Sequence, residues 1–135
     1  MAVTYNATLK TNRMQLVADL ISSKTAAAST GTATAGSIVV GTSALSGATG
    51  VLCTFNLSAT PGTVSGSVLT ISGTPLTATA TGTGTAALAE IRNNAGTVVV
   101  SGLTVGTSGT DLIINATAIA TGQTITLSSG TITHG

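Results

Sequence analysis

The side chains that could perform chemistry are few and are spread along the chain. One cysteine, Cys53, and one histidine, His134, occur among 135 residues. The carboxylates are Asp19, Glu90 and Asp111, which lie far apart in sequence. Catalysis requires converging groups that transfer protons, attack carbon or hold a metal. We therefore predict that the protein is not an enzyme and that it has no catalytic, metal-binding or cofactor-binding site.

Motifs for ligand binding are also missing from the sequence. None of the patterns GxGxxG, GxxxxGK[ST], GxSxG and HExxH occurs. Sugars and nucleic-acid bases are commonly held by stacking on aromatic rings. The only aromatic side chains of this kind are Tyr5 and Phe55, so recognition by stacking is not expected.

The lone cysteine lies in the segment "VLCTFNL", where Val51, Cys53, Phe55 and Leu57 alternate with other residues. Alternation with a period of two predicts a strand with one buried face. We expect Cys53 to be a small buried hydrophobe in that face and Phe55 to be a core residue. A reactive thiol is the alternative. A single cysteine cannot form a disulfide within the chain.

The composition restricts the partners that the protein can bind. Thr, Ala, Gly and Ser make up 80 of the 135 residues, and charged residues make up only 5%. The net charge is +1, which predicts neither a nucleic-acid partner nor a membrane partner. A surface with so little charge repulsion tends to associate with other proteins or with itself. The start of the chain has no signal-peptide pattern, and we expect synthesis in a cytoplasm.

Charge is concentrated near the start of the chain, where four of the seven charged side chains lie within residues 7–24. The same segment carries large apolar residues at helical spacing: Leu9, Leu16, Val17, Leu20 and Ile21. This pattern predicts a helix from about Thr8 to Ser23, capped by Asn6 or Thr8.

The apolar stripe of this helix is expected to pack on the rest of the protein. The opposite side then carries small or neutral residues: Thr11, Asn12, Gln15, Ala18, Asp19 and Ser22. A solvated helix face usually carries several charges. We therefore predict that Thr11, Gln15, Ala18 and Ser22 contact another protein chain. The alternative is a helix that only covers its own sheet.

After the helix the sequence is typical of strands and turns. We divide the chain into an N-terminal extended piece and helix (1–24), a low-complexity linker (25–37) and a β domain (38–135). Short strands recur every 8–12 residues and are separated by Gly, Pro and Asn. The predicted fold is mainly β: a β-sandwich or jelly-roll-like domain of about seven to nine short antiparallel strands, with one N-terminal α-helix.

A ladder of threonines occupies alternate positions at Thr77, Thr79, Thr81, Thr83 and Thr85. On one strand these hydroxyls would share a face. We predict that Thr77, Thr79, Thr81 and Thr83 form an interface, with an exposed, solvated strand as the alternative. Similar Thr-x-Thr faces occur in ice-binding β-solenoids, but this sequence lacks their regular period.

Two parts of the chain resemble a family of small virion proteins of tailed bacteriophages. The opening "MAVTYNATLKTNRMQLVADLI" has a short extended piece leading into a helix with K-T-x-R. The closing part contains "IRNNAG", "VSGLTVGTSGTD", "GQTITL" and "TITH". Together these segments cover roughly half of the chain, and residues 25–84 match only in character.

This resemblance implies a non-enzymatic structural component of the virion. Capsid decoration, or cementing, is the role we favour on this basis. The implied partners are the major capsid protein and further copies of this chain as a homo-oligomer, and the implied location is the capsid surface after synthesis in the host cytoplasm. A tail or baseplate component is the first alternative, and a bacterial surface adhesin or binding module is the second. The resemblance transfers no catalytic residue.

Overall fold

The structure is a computed structural model that describes residues 6–22, 24, 34–59 and 61–133. Most of the predicted linker, His134 and Tyr5 lie outside these ranges. The described residues form one helix, α1, at Ala7–Ile21. They also form the following strands: β1 Ser37–Ser46, β2 Thr49–Asn56, β3 Gly62–Ser65, β4 Val68–Ile71, β5 Leu76–Thr79, β6 Gly84–Thr85, β7 Leu88–Arg92, β8 Val98–Gly106, β9 Leu112–Ile114, β10 Ala118–Ile119 and β11 Thr124–Thr133.

The fold is mainly β, a sandwich with one N-terminal helix in the described part of the chain. Nine strands belong to one sheet, with the order β2-β1-β7-β8-β9-β11-β4-β3 and with β5 also paired to β11. Strands β6 and β10 form a separate two-stranded sheet. The large sheet curls so that its far side returns to its first strand. The backbone N–H groups of Thr81 and Gly82, just after β5, donate to the carbonyl of Leu52 in β2 at 2.8 and 3.3 Å.

Strand β11 connects the two halves of the large sheet. Its ten residues pair with β5 along Thr124–Leu127, with β9 along Leu127–Gly130 and with β4 along Thr131–Thr133. Its inward side chains Ile125 and Leu127 are fully buried. One strand therefore both organises three neighbours and contributes to the core.

The structure corrects two details of the predicted strands. Eleven strands are present in the described residues, against the seven to nine predicted, because several are very short: β6 and β10 have two residues each and β9 has three. The sheet is also not wholly antiparallel, because β8 and β9 run parallel and are joined by residues 107–111 alone. The carboxylate of Asp111 holds this short connection by accepting hydrogen bonds from the backbone N–H and the hydroxyl of Thr104, each at 3.0 Å.

Three of the four residues that the alternation predicted for the core are buried. Cys53 and Phe55 have no exposed surface, and Leu57 is 4% exposed. Val51 is only half-buried, whereas its neighbour Leu52 is buried as well. The edge of β2 is covered near Leu52 by the returning segment, whose Ala80 and Ala86 are buried. The pairing of β1 with β2 is irregular at this point, since Val40 pairs with Cys53 and Gly41 pairs with Val51, so Leu52 lies at a bulge and joins the same core as Cys53.

Helix α1 packs on β3, β4 and β8. The side of the helix that faces these strands differs from the predicted side. Asn6 is the N-cap, as one of the two expected candidates, and its side-chain oxygen accepts from the N–H of Leu9 at 2.8 Å. The buried face consists of Met14, Ala18 and Ile21. At the other end of the helix, a Cβ on Gly36 would lie 2.9 Å from the carbonyl oxygen of Ile21. Glycine at this position allows the main chain before β1 to pass directly against the helix.

The burial of Phe55 leads to a test of the core. We expect Phe55→Ala to lower the free energy of unfolding by about 3–5 kcal/mol, because a large buried ring is lost and a cavity remains. The neighbouring exposed residue gives a matched control, since Thr54→Ala should change the free energy by less than about 1 kcal/mol. Urea unfolding followed by circular dichroism measures both. Equal effects of the two substitutions would show that this face of β2 is not the core.

The buried thiol leads to a test in alkaline solution. Burial raises the pKa of Cys53 from 9.0 to about 11, so the folded state holds the thiol proton more tightly than the unfolded state does. The resulting stabilisation is complete below pH 9 and is lost as the pH rises towards 11, by roughly 2–3 kcal/mol. Unfolding measured between pH 8 and 11 should show this loss. The free energy of unfolding of Cys53→Ala should change less over the same pH range. An equal change in both proteins would show that the Cys53 thiol does not cause the loss of stability.

Candidate interaction surfaces

The predicted interface on the helix is divided between solvent and the core. Ala18 is 5% exposed and Ser22 is 3% exposed, because both face the protein's own sheet. The hydroxyl of Ser22 donates to the carbonyl of Ala59 at 2.9 Å. Thr11 is half-buried and Gln15 is exposed. The prediction that Ala18 and Ser22 face another chain is therefore wrong. Their small side chains instead let the helix approach the protein's own sheet closely.

The apolar stripe that was expected inside lies largely outside. Leu9, Leu16 and Leu20 are 42%, 38% and 46% exposed, whereas Ile21 from the same pattern is buried. These three residues, which we call the leucine stripe, recur at i, i+7 and i+11 and so share one side of the helix. That side is opposite to the one formed by Met14 and Ala18. Sequence periodicity therefore placed Ile21 and Val17 correctly, since both contact the core, but assigned the three leucines to the wrong environment.

Asp19 illustrates how the inner side of the helix accommodates a charge. Its side chain is 2% exposed, and Gln15 donates to its carboxylate at 3.0 Å through the side-chain amide. A cavity of about 60 Å³ next to it is bordered by Ser22, Ala59 and Pro61. This volume suits water molecules and is small for an organic ligand.

The threonine ladder keeps its alternation, although only part of it is a strand. Thr77 and Thr79 lie on β5, whereas Thr81 and Thr83 follow it, and all four are exposed. The hydroxyl of Thr83 accepts from the backbone N–H of Thr121 at 3.1 Å, so this side chain secures the turn before β11. The expected single strand with five hydroxyls on one face is therefore interrupted after Thr79.

A smaller hydroxyl-bearing surface does exist across two strands. Thr77 lies opposite Thr126, and Thr79 lies opposite Thr124. Directly paired residues point to the same side of a sheet. We call this surface of four residues the threonine face. It has no charge, and its neighbours on the inner side, Ile125 and Leu127, belong to the core.

In the described residues, the charged pair Glu90 and Arg92 stabilises the fold. Glu90, 8% exposed, is paired with Arg92, which also donates to the carbonyl of Gly47 at 2.7 Å. This contact holds the turn between β1 and β2 against β7. No group of three or more His, Cys, Asp or Glu residues is placed to hold a metal ion within the described ranges. Those ranges also contain no helix with the length and hydropathy needed to cross a bilayer.

A second, shallow pocket of about 240 Å³ lies between the start of β1 and the turn after β7. Three asparagines border it: Asn56, Asn93 and Asn94. The side-chain oxygen of Asn93 accepts from the N–H groups of Ala95 and Thr97, each at 3.0 Å, and so shapes the turn. The side-chain amide of Asn94 donates to the carbonyl of Ala35 at 3.1 Å. The pocket lining contains no titratable side chain.

Comparison with known proteins identifies no relative: no family profile, no curated protein sequence and no solved structure matches the chain.

Because Ala18 is buried and Leu16 is exposed, the expected effects of substitutions at these two positions are the opposite of those that the sequence predicts. Ala18→Glu should destabilise the protein by at least about 1–3 kcal/mol from overpacking, with a further cost for burying a charge. Leu16→Glu, two residues away on the exposed side, should change the free energy of unfolding by less than about 1 kcal/mol. Thermal unfolding of the two variants distinguishes them. A stable Ala18→Glu variant together with an unstable Leu16→Glu variant would show that the leucine side of the helix is the buried one, as the sequence predicts.

Proposed function

We propose that the protein is a non-enzymatic structural component of a tailed-phage virion, and specifically a decoration protein that binds the major capsid protein on the head. The observation that carries this proposal is the character of the exterior. The exposed surface combines the leucine stripe with the uncharged threonine face. The described carboxylates of Asp19, Glu90 and Asp111 each contact other residues of the same chain. Such a surface suits broad contact with another protein better than binding of an ion or a small polar ligand.

The segments that resemble phage virion proteins support the proposal in a particular way. Arg92, Asp111 and Gln123 belong to these segments, and each secures a turn or a connection. Gln123, for example, accepts from the N–H of Ala120 through its side-chain oxygen at 3.0 Å. The resembling residues are thus residues that shape the fold. The resemblance therefore suggests a shared scaffold.

A decoration protein does not need a strong individual contact. Many copies bind equivalent positions on one particle, and each copy reinforces the boundary between capsid subunits. A chain with few charges and many small residues can meet this requirement with shape and main-chain contacts alone. Copies of the protein would also meet each other around the symmetry axes of the lattice.

The test uses phage particles that lack the gene for this protein. Purified protein should bind isolated heads from such particles and should not bind isolated tails, as measured by co-sedimentation and by electron microscopy of the decorated heads. Binding to tails alone would favour the tail or baseplate alternative. Binding to neither would reject a role in the virion.

Salt dependence provides a further expectation. Only 5% of the residues are charged, so screening acts on few pairs, and the affinity for heads should fall less than about tenfold between 0.05 and 1 M salt. Release of the protein by moderate salt would contradict attachment through apolar and main-chain contacts. Sedimentation of heads at a series of salt concentrations measures this.

A further inference from the structure

The face of the sheet that points away from the core is covered at β1 and β7. Ile38 and Val40 belong to the core, so Val39 between them points to the opposite face, which we call the outer face. Val39 is nevertheless only 3% exposed, although it is not part of the core cluster. Glu90 pairs with Val39 and so points to the same face, where it is 8% exposed. A part of the protein other than the core therefore covers this outer face.

The covering segment consists of residues 42–50, which we call the strap. Gly41 pairs with Leu88 just before the strap begins, and Arg92 lies four residues further along β7, opposite the start of β1. This separation is about 13 Å, and a hairpin that continued straight beyond Gly41 would carry its tip still further from Arg92. Instead, the guanidinium of Arg92 donates to the carbonyl of Gly47 at 2.7 Å. The strap therefore folds back over the outer face of β1 and β7.

Leu45 supplies an apolar contact between the strap and the sheet. A Cβ on Gly41 would lie 2.6 Å from the Cδ1 atom of Leu45 and 2.6 Å from the carbonyl oxygen of Gly50. Such a Cβ would point to the outer face, as that of Val39 does two residues earlier. Leu45 and Gly50 thus occupy the space that a larger side chain at position 41 would need. Glycine at this position in β1 allows the strap to close.

The strap is attached less regularly than the strands beside it. Gly41 pairs with Val51 and Ser46 pairs with Thr49, so residues 42–45 lie opposite Gly50 alone. Gly50 has a φ of 74°, which bends the chain sharply as it returns to β2. Residues 46–49 at the tip are exposed. A segment with an irregular ladder and an exposed tip opens at a lower free energy than a core strand does.

We propose that the strap opens as one unit and that Arg92 is the latch that holds it closed. The latch is a single guanidinium, which is paired with Glu90 and donates to the tip at Gly47. A hydrogen bond from a charged group is stronger than one between neutral groups, so loss of this donor releases the tip. Opening uncovers Val39 and the ion pair and leaves the core closed. This inference concerns the chain itself and does not rest on the proposed function.

The closing experiment compares two thiols in one molecule. Val39→Cys places a thiol under the strap, whereas the natural Cys53 lies in the core with no exposed surface. Opening of the strap exposes the first thiol alone, and global unfolding exposes both. We expect iodoacetamide to modify position 39 at least about tenfold faster than Cys53 in the native protein. Peptide mass spectrometry at a series of times measures the two rates.

Further substitutions in the Val39→Cys protein test the latch. Arg92→Gln should speed modification at position 39 by at least about tenfold and leave the rate at Cys53 nearly unchanged. Gly41→Ala should act in the same direction, because the added Cβ collides with the strap. Asp111→Asn is the control, since Asp111 fastens the connection between β8 and β9. It should change the rate at position 39 by less than about twofold.

The possible outcomes separate a hinged strap from a fixed one. If both thiols are modified at the same rate, the strap opens only with the whole fold and the proposal is wrong. If Arg92→Gln and Asp111→Asn have equal effects at position 39, Arg92 is not the latch and the proposal is also wrong.

A second measurement applies if Val39→Cys prevents folding. Amide hydrogen exchange then compares the chain that has the natural Val39 with its Arg92→Gln variant. Exchange should become faster in residues 42–50 and stay unchanged in residues 52–55. Equal acceleration of both segments, or of neither, overturns the proposal.

Discussion

The fold depends on hydrogen bonds of the main chain, because few charged side chains are present to hold its elements together. The curled sheet returns to its first strand where Thr81 and Gly82 donate to Leu52. Just before this point, the N–H of Ala80 donates to the carbonyl of Gln123 at 2.8 Å. Such contacts require two backbones to approach closely. A Cβ on Gly82 would lie only 2.5 Å from the carbonyl oxygen of Val51, which explains why small residues are abundant in this region.

Three of the seven charged side chains fix connections between strands. Glu90 and Arg92 join β7 to the turn at Gly47, and Asp111 fastens the passage from β8 to β9. A hydrogen bond that involves an ionised group is stronger than one between neutral groups. The protein therefore places these bonds where the path of the chain is least regular. As a consequence for function, a partner would contact mainly hydroxyl groups and leucines on the exterior, and few carboxylates.

The sequence predicted local features well and spatial relations poorly. The alternation around Cys53 and Phe55 identified a core strand, since burial on one face follows directly from a period of two. Asn6 was identified among the N-cap candidates because its side chain satisfies a free N–H locally. The parallel pairing of β8 and β9 was not predicted, since pairing depends on contacts distant in sequence. The buried face of the helix was predicted only in part: Ile21 was expected inside and is buried, but hydrophobic periodicity favoured the leucines over Met14 and Ala18, which the sheet contacts instead. A candidate surface was therefore recognised only after the orientation of α1 was known.

The central position of β11 has a consequence for the synthesis of the protein. This strand joins β4, β5 and β9, yet it follows all three of them along the chain. While a ribosome makes the earlier strands, they have no common neighbour with which to pair. The large sheet can therefore be completed only after the residues that follow Gln123 have been made. A ribosome that stops before this segment would produce a chain with exposed strand edges, which invites proteolysis rather than assembly.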